Sequence, residues 1–533
     1  MSGPMTIFHV DMNFVSLREE YLRSLLAEVA NKGFDAILWE IEDKVQLDTC
    51  SHAIWPEAFT KKQFRSILDY SRELGLEPIP LLQTVGHGEY VMKHKEYAHL
   101  REQADRSDCY CTSNPQAREF LRSITAEYVD LFGDIRYFHF GGDEAYVFAT
   151  CPRCAEAVRK TGHNRLYADH INHVSAPAVQ AGIRPGIWCD MIMHHPDQVE
   201  AIDKKFVIWD WNYNDTLDKP DKLRLWGKGW MSREQMDEDL LRKLPDLLDE
   251  NGDLRPFYII NMLKRLGYDA MLCSSVRASR DPVFSVNIKH HCNNVAGAAI
   301  KATKENILGH CVTSWAVRIV KPDLHDLSLA IEPIARANPD KTLPEMMKLA
   351  GEELFGTDPS DFIEAADMIS QTFVFVYSGS GHGSGVQWNH LKDSTLPPKG
   401  YVMKSMEEWS NDPSDDQGGY ANRKQKVLDS AEPISKGLEL MKSFAPRVTT
   451  PRGKSVVNDW IISGMLQLGM NRVAQEVFNV FENKPTRDTG EMLNEVKELK
   501  QRFIDWAGTW MTPQSAQLNA DIIFNHIAEV FGG

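Results

Sequence analysis

The chain has 533 residues, 43% of them hydrophobic and 25% charged, with a formal net charge of −16. Such a composition buries a large core, while the length exceeds one ordinary domain, so two domains are expected and disorder is not the main theme. The acidic balance, with no local basic patch, argues against nucleic acid and against an anionic membrane as partners, and leaves a neutral or mildly polar substrate.

The opening MSGPMTIFHVDMNF has neither the basic start nor the apolar core of a secretion signal, and no later run reaches membrane-spanning length. A cytoplasmic protein is expected. Nine cysteines have little use as disulfides in a reducing compartment, so their positions need another account.

The first third repeats one grammar. After the strand-like TIFHV, Leu22, Leu25, Leu26 and Val29 fall at i, i+3, i+4 and i+7 and predict a helix ending near Gly33. AILWEIED follows as a buried strand. A second helix opens with a capping pattern from Thr60 to Gln63, carries Phe64, Ile67 and Leu68 on one face, and stops at Gly75 before the strand-like EPIPLLQ. Asn114 and Pro115 suit the N-cap and first position of a third helix bearing Phe120, Leu121, Ile124 and Tyr128, after which IRYFHF reads as strand four. RPGIWCDM, FVIWDW, YDAMLCSS and ILGHCVTSW supply four more strand candidates. Strands and helices alternating eight times predict a (β/α)8 TIM barrel over residues 1–330, with its site where strands end and loops begin. From 331 to 533 the pattern is helical throughout, as in 456–483, and an all-helical C-terminal domain is expected. The run SGSGHGSG at 378–385 is too rich in glycine for regular structure and reads as a linker or loop.

At the strand ends acids and tryptophans dominate: Asp11, Glu40, Glu42, Asp43, His87, His139, Asp143, Glu144, Trp188, Asp190, Trp209, Asp210, Trp211, Tyr213 and Trp315. Indole faces stack on sugar rings and carboxylates bond hydroxyls, so the set suits a carbohydrate. Any one tryptophan is as well explained by the core; several at one end of a barrel favour a binding site.

FHFGGDEAY, residues 138–146, follows strand four. Its HFGGDE resembles the His-x-Gly-Gly-Asp-Glu signature of glycoside hydrolase family 20, the β-N-acetylhexosaminidases. LLQTVGH resembles that family's strand-three segment, and LWEIED, WPEAFT and LGLEPIPLLQT are similar to its short intracellular, hexosaminidase D branch. The family's barrel-start arginine has no counterpart here, which leaves Asp11 or Glu40 for the sugar hydroxyls. The resemblance implies an exo-acting, retaining hydrolase without a catalytic cofactor, in which the substrate's own 2-acetamido oxygen is the nucleophile. It implies Glu144 as proton donor and Asp143 as the partner of the acetamido N–H. His87, with Glu42 or Asp43, would tune the donor. Trp188, Trp209 and Trp315 would wall the acetamido group, Tyr213 would bond its carbonyl, and Asp190 or Asp210 would bind hydroxyls or cap loops. The partner is then a carbohydrate with a terminal N-acetylhexosamine, GlcNAc or GalNAc, with a homodimer left open. One rival is a barrel glycosidase acting on sugars without an N-acetyl group through two protein carboxylates; another is a noncatalytic carbohydrate-binding protein.

Cys109, Cys111, Cys151 and Cys154 form two close pairs on neighbouring strand-end loops. Four such thiols suit a structural, tetrahedral zinc, and the bland alternative is four unlinked thiols. Cys189, Cys273, Cys292 and Cys311 lie in apolar contexts and read as core.

Overall fold

The structure, a computed structural model, describes residues 3–278, 281–316, 320–371, 394–411 and 419–533. The glycine-rich run at 378–385 lies outside the described residues.

Each of the eight apolar runs becomes a strand. β1 (Met5–Asp11), β2 (Ala36–Glu40), β3 (Glu77–Leu81), β4 (Tyr137–His139), β5 (Arg184–Trp188), β6 (Val207–Trp211), β9 (Ala270–Arg277) and β10 (Gly309–Ser314) close into a barrel in the order β1-β10-β9-β6-β5-β4-β3-β2. The fold is a (β/α)8 barrel with a helical C-terminal region, as the alternation implied. Their registers are parallel, for example Asp11 beside Glu40 and Trp188 beside Trp209. Strands covered on both faces read as continuous apolar runs rather than alternating ones, and β2 is buried at all five positions.

The intervening helices start where their caps dictate. Thr60 accepts from the Gln63 N–H and completes a capping box for the helix Lys61–Glu73. The Asn114 side chain accepts from the Gln116 N–H ahead of Pro115–Phe132. A two-stranded antiparallel hairpin, β7 (Leu223–Leu225) with β8 (Gly229–Met231), interrupts the alternation after β6. The sequence pattern did not anticipate it.

The chain divides into two compact units. The first comprises residues 1–13, 26–275 and 294–313 and holds most of the barrel. The second comprises 14–25, 276–293 and 314–533. Long helices such as Gly419–Phe444, Pro451–Phe481 and Thr489–Ala507 make up much of it. It buries a charged network in which Lys321 reaches Asp459 at 2.9 Å and Arg452 binds Asp323 and Asp326, both at 2.6 Å. Trp506 donates to Asp459 and Tyr21 donates to Asp323, so the buried acids are paired. No helix among the described residues is long and apolar enough to cross a membrane.

Candidate active site

The turn after β4 is built by small residues and a buried imidazole. His139 is wholly buried, with its ring centroid 4.2 Å from that of Trp188 and 4.8 Å from that of Trp209. Burial, followed by the nearby His9, pushes its pKa well below the ordinary histidine value, so the ring is neutral. Its Nδ1 accepts the Gly141 N–H at 3.0 Å, which fixes the first step of the turn. Gly141 and Gly142 both have positive φ, 56° and 88°. A Cβ at Gly141 would meet the Gln83 Oε1 and one at Gly142 the Tyr167 hydroxyl, so any side chain there would displace those groups as well as strain the backbone.

The turn delivers Asp143 and Glu144 into different surroundings. Their side chains are 7% and 27% exposed, and His87 Nε2 lies 3.3 Å from the Asp143 Oδ2 and 3.6 Å from the Glu144 Oε2. One imidazole therefore faces both acids. Close approach of the β3 and β4 loops requires Gly86, where a Cβ would meet the Asp143 carbonyl oxygen at 2.1 Å. Asp190, at the end of β5, accepts the Glu144 N–H at 3.0 Å and the Trp211 Nε1–H at 3.2 Å.

Three non-glycine residues here have left-handed backbones: Glu42 (φ 42°), His87 (φ 55°) and Glu144 (φ 45°). They follow β2, β3 and β4 respectively. L-residues with large side chains avoid this region, and such strain gathers at functional sites.

Buried carboxyls surround the pair. Glu40 takes the Gln83 amide at 2.8 Å and faces the His9 Nε2 at 3.1 Å. Burial is the main cause that raises its pKa to about 7, with the Asp143 charge adding to the effect and His87 opposing it. Burial likewise raises Asp190 to about 7, reinforced by Asp143 and Glu144. Glu42 is pushed well above the carboxylate range by burial and then by Glu40, Asp43 and Asp11; its Oε2 has no hydrogen-bond partner among the described residues. Asp43 is claimed by lysines, bonding Lys44 and lying 3.8 Å from Lys93. Of the strand-two acids, Glu40 feels the charges of both Asp143 and His87. Sequence reading had considered it only for sugar hydroxyls. Lys44 was overlooked altogether; it is buried, bonded to the Asn13 carbonyl at 3.0 Å and 4.9 Å from the Trp55 ring centre.

A cavity of about 430 Å³ opens beside Glu144, lined among others by Tyr146, Tyr167, Asp190, His194 and Trp226. That volume suits a small ligand. Trp226 and Arg224 come from the unanticipated hairpin segment. The Arg224 guanidinium lies 4.3 Å from the Trp226 ring centre, and the Trp226 and Trp211 ring centres are 4.6 Å apart.

Other expected residues sit elsewhere. Trp188 and Trp209 are wholly buried around His139. Tyr213 is half-buried, with its ring centre 5.4 Å from that of Trp211. Asp11 is buried and caps its own turn by accepting the Asn13 N–H at 2.7 Å. Trp315 belongs to the second unit, where its N–H donates to the Arg277 carbonyl.

Asp210 is fully buried beneath the strand ends and accepts the Cys189 thiol at 3.3 Å. Burial raises its pKa from 3.8 to about 7. Below about pH 4 the group is neutral in both folded and unfolded chains. Between about 4 and 7 the unfolded chain ionises first, so stability falls as pH rises, and the fall ends above about 7. Asp210→Asn, neutral throughout, is expected to flatten this fall by up to about 4 kcal/mol. Urea unfolding across that pH range checks it; a fall identical to that of the wild type would exclude Asp210 as its source.

Near the same loops, Glu102, Cys111, Cys151 and Cys154 bring one ligand atom each to within 4.8 Å of one another. Cys109, expected in this group, instead directs its thiol to the Tyr110 carbonyl at 3.6 Å. Glu102 takes its place in the cluster.

Residues 19–224 match the family described as Glycosyl hydrolase family 20, catalytic domain. Two curated relatives bear the name Hexosaminidase D. The one from Homo sapiens is 28% identical over 239 residues, covering 42% of this chain and 48% of the relative. The one from Bos taurus is 28% identical over 202 residues, covering 36% and 57%. The chain thus spans about half the length of the curated relatives it matches. Among solved structures, a chitobiase of Flavobacterium johnsoniae aligns over 98% of this chain and 78% of its own at 16% identity, with a TM-score of 0.47. A β-N-acetylhexosaminidase of Bacteroides fragilis aligns over 66% and 70% at 14% identity, with a TM-score of 0.48. The likeness read from HFGGDE is borne out by the family match, which spans the motif and the strands from β2 to β6.

Proposed function

We propose that this family 20 barrel is an exo-acting β-N-acetylhexosaminidase, removing terminal β-linked GlcNAc or GalNAc with retention of configuration. The observation that carries the reading is the pairing of adjacent acids in unequal environments under one imidazole: buried Asp143 and partly exposed Glu144, both facing His87. Glu144 borders the cavity and is placed to protonate a leaving oxygen there. Asp143 orients the substrate's acetamido N–H and offsets the positive charge of the oxazolinium that forms when the acetamido oxygen attacks the anomeric carbon. His87 lies between the two and holds their relative positions.

The neighbouring carboxyls support a substrate nucleophile. A protein nucleophile must be ionised, and burial raises Glu40 and Asp190 to about 7 and Glu42 well above the carboxylate range, so none of the three is fully ionised at neutrality. Glu42, with its unpartnered buried oxygen, is a candidate for a sugar hydroxyl. None of the nine cysteines is joined in a disulfide, which is compatible with a reducing, cytoplasmic setting.

Aryl β-glycosides differing only at C2 and C4 test the reading. The 2-acetamido compounds are expected to be cleaved and the matching β-glucoside to be nearly inert. Efficient turnover of the glucoside would favour a two-carboxylate glycosidase, and inertness of every sugar would favour a binding protein.

A further inference from the structure

We infer that Glu102, Cys111, Cys151 and Cys154 form a structural zinc site, with three sulfurs and one carboxylate oxygen as ligands. Cys111 lies 3.7 Å from Cys151 and 3.7 Å from Cys154, sulfur to sulfur. A disulfide needs about 2.05 Å. Zinc–sulfur bonds of about 2.3 Å at tetrahedral angles set neighbouring sulfurs about 3.8 Å apart, which is the spacing found. Glu102 Oε2 is 3.2 Å from the Cys154 sulfur, on the same cluster.

The surroundings are those of a preformed ligand set. Cys151 caps the helix Pro152–Thr161, and its sulfur accepts the Cys154 N–H at 3.4 Å, which fixes the sulfur at the start of the helix. The other Glu102 oxygen accepts the Cys151 N–H at 2.8 Å, orienting the carboxylate from behind. Arg153 donates toward the Cys111 sulfur at 3.9 Å, and the Cys154 thiol donates to the Ser113 hydroxyl at 3.2 Å. Cys111, Cys154 and Glu102 are buried, so a carboxylate in no ion pair with a lysine or arginine among the described residues sits among thiols. A divalent cation supplies the missing charge. Three sulfurs and one oxygen suit zinc and leave no position open for substrate.

The site would staple two loops that begin at the catalytic residues. Glu102 and Cys111 belong to the segment after His87, and Cys151 and Cys154 to the segment after Glu144. Phe148 packs against the cysteine cluster and also lines the cavity beside Glu144. Metal binding would thereby hold Phe148 in the wall of that cavity.

The purified full chain is expected to contain about one zinc by elemental analysis. Cys154→Ser should lose it, Glu102→Gln should lose it to a chelator that leaves the wild type loaded, and Cys109→Ser should retain it. Cobalt exchanged into the wild type should show thiolate charge-transfer absorption, falling by about a third in Cys151→Ser. Metal-free wild type with all its thiols reduced would overturn the inference. So would metal lost from Cys109→Ser but kept by Glu102→Gln, which would restore an all-cysteine set.

Discussion

Glu144→Gln is expected to lower kcat/KM by about 10² to 10⁴ on substrates whose leaving oxygen must be protonated, and by much less on activated aryl glycosides. Glutamine keeps the shape of glutamate, so the Asp190 bond to the residue 144 N–H and the left-handed turn survive the change. What disappears is the proton. The loss should therefore scale with the basicity of the leaving group, and a series of aryl glycosides of graded phenol acidity measures it. An equal loss across the series would remove Glu144 from the donor role.

Asp143→Asn should slow turnover on the order of 10² or more, because in the proposed mechanism the buried carboxylate would face the oxazolinium, and the change removes its charge while keeping its place near His87. In the wild type, a thiazoline analogue of the intermediate should inhibit at least about 10² more tightly than the free sugar, as expected for a mimic of the high-energy species. The two measurements test one idea, that the nucleophile comes from the substrate. A glycosyl ester trapped on any Asp or Glu would sink it.

The barrel was legible because its strands are buried on both faces and its helices carry strong start signals such as Thr60 and Asn114. Even three-residue β4 was found inside IRYFHF, since the run around it is apolar. The pair Asp143 and Glu144 was legible through its glycines and its place at a strand end. Other parts depended on pairing that no local pattern reveals. Glu102 joins the cysteines because residues 100–102 pair with 109–111, the Glu102 N–H bonding the Cys109 carbonyl and the Cys111 N–H the Leu100 carbonyl. Trp226 and Arg224 reach the cavity through a hairpin whose strands are three residues each, too short for periodicity to signal. Tryptophans at strand ends looked alike in sequence, yet Trp188 and Trp209 pack around His139, and the tryptophan that borders the cavity, Trp226, comes from the hairpin segment instead. Which way a strand-end side chain turns is decided by the fold around it.

The left-handed backbones of Glu42, His87 and Glu144 bear on how this protein is engineered. At each of these positions the residue that suits the local geometry best is glycine, which has no side chain to crowd the neighbouring carbonyl. A library selected for heat resistance alone would thus be drawn toward three substitutions that each erase a group from the site. Durability and turnover compete at the same three codons, and a screen for robust variants has to read activity in every round.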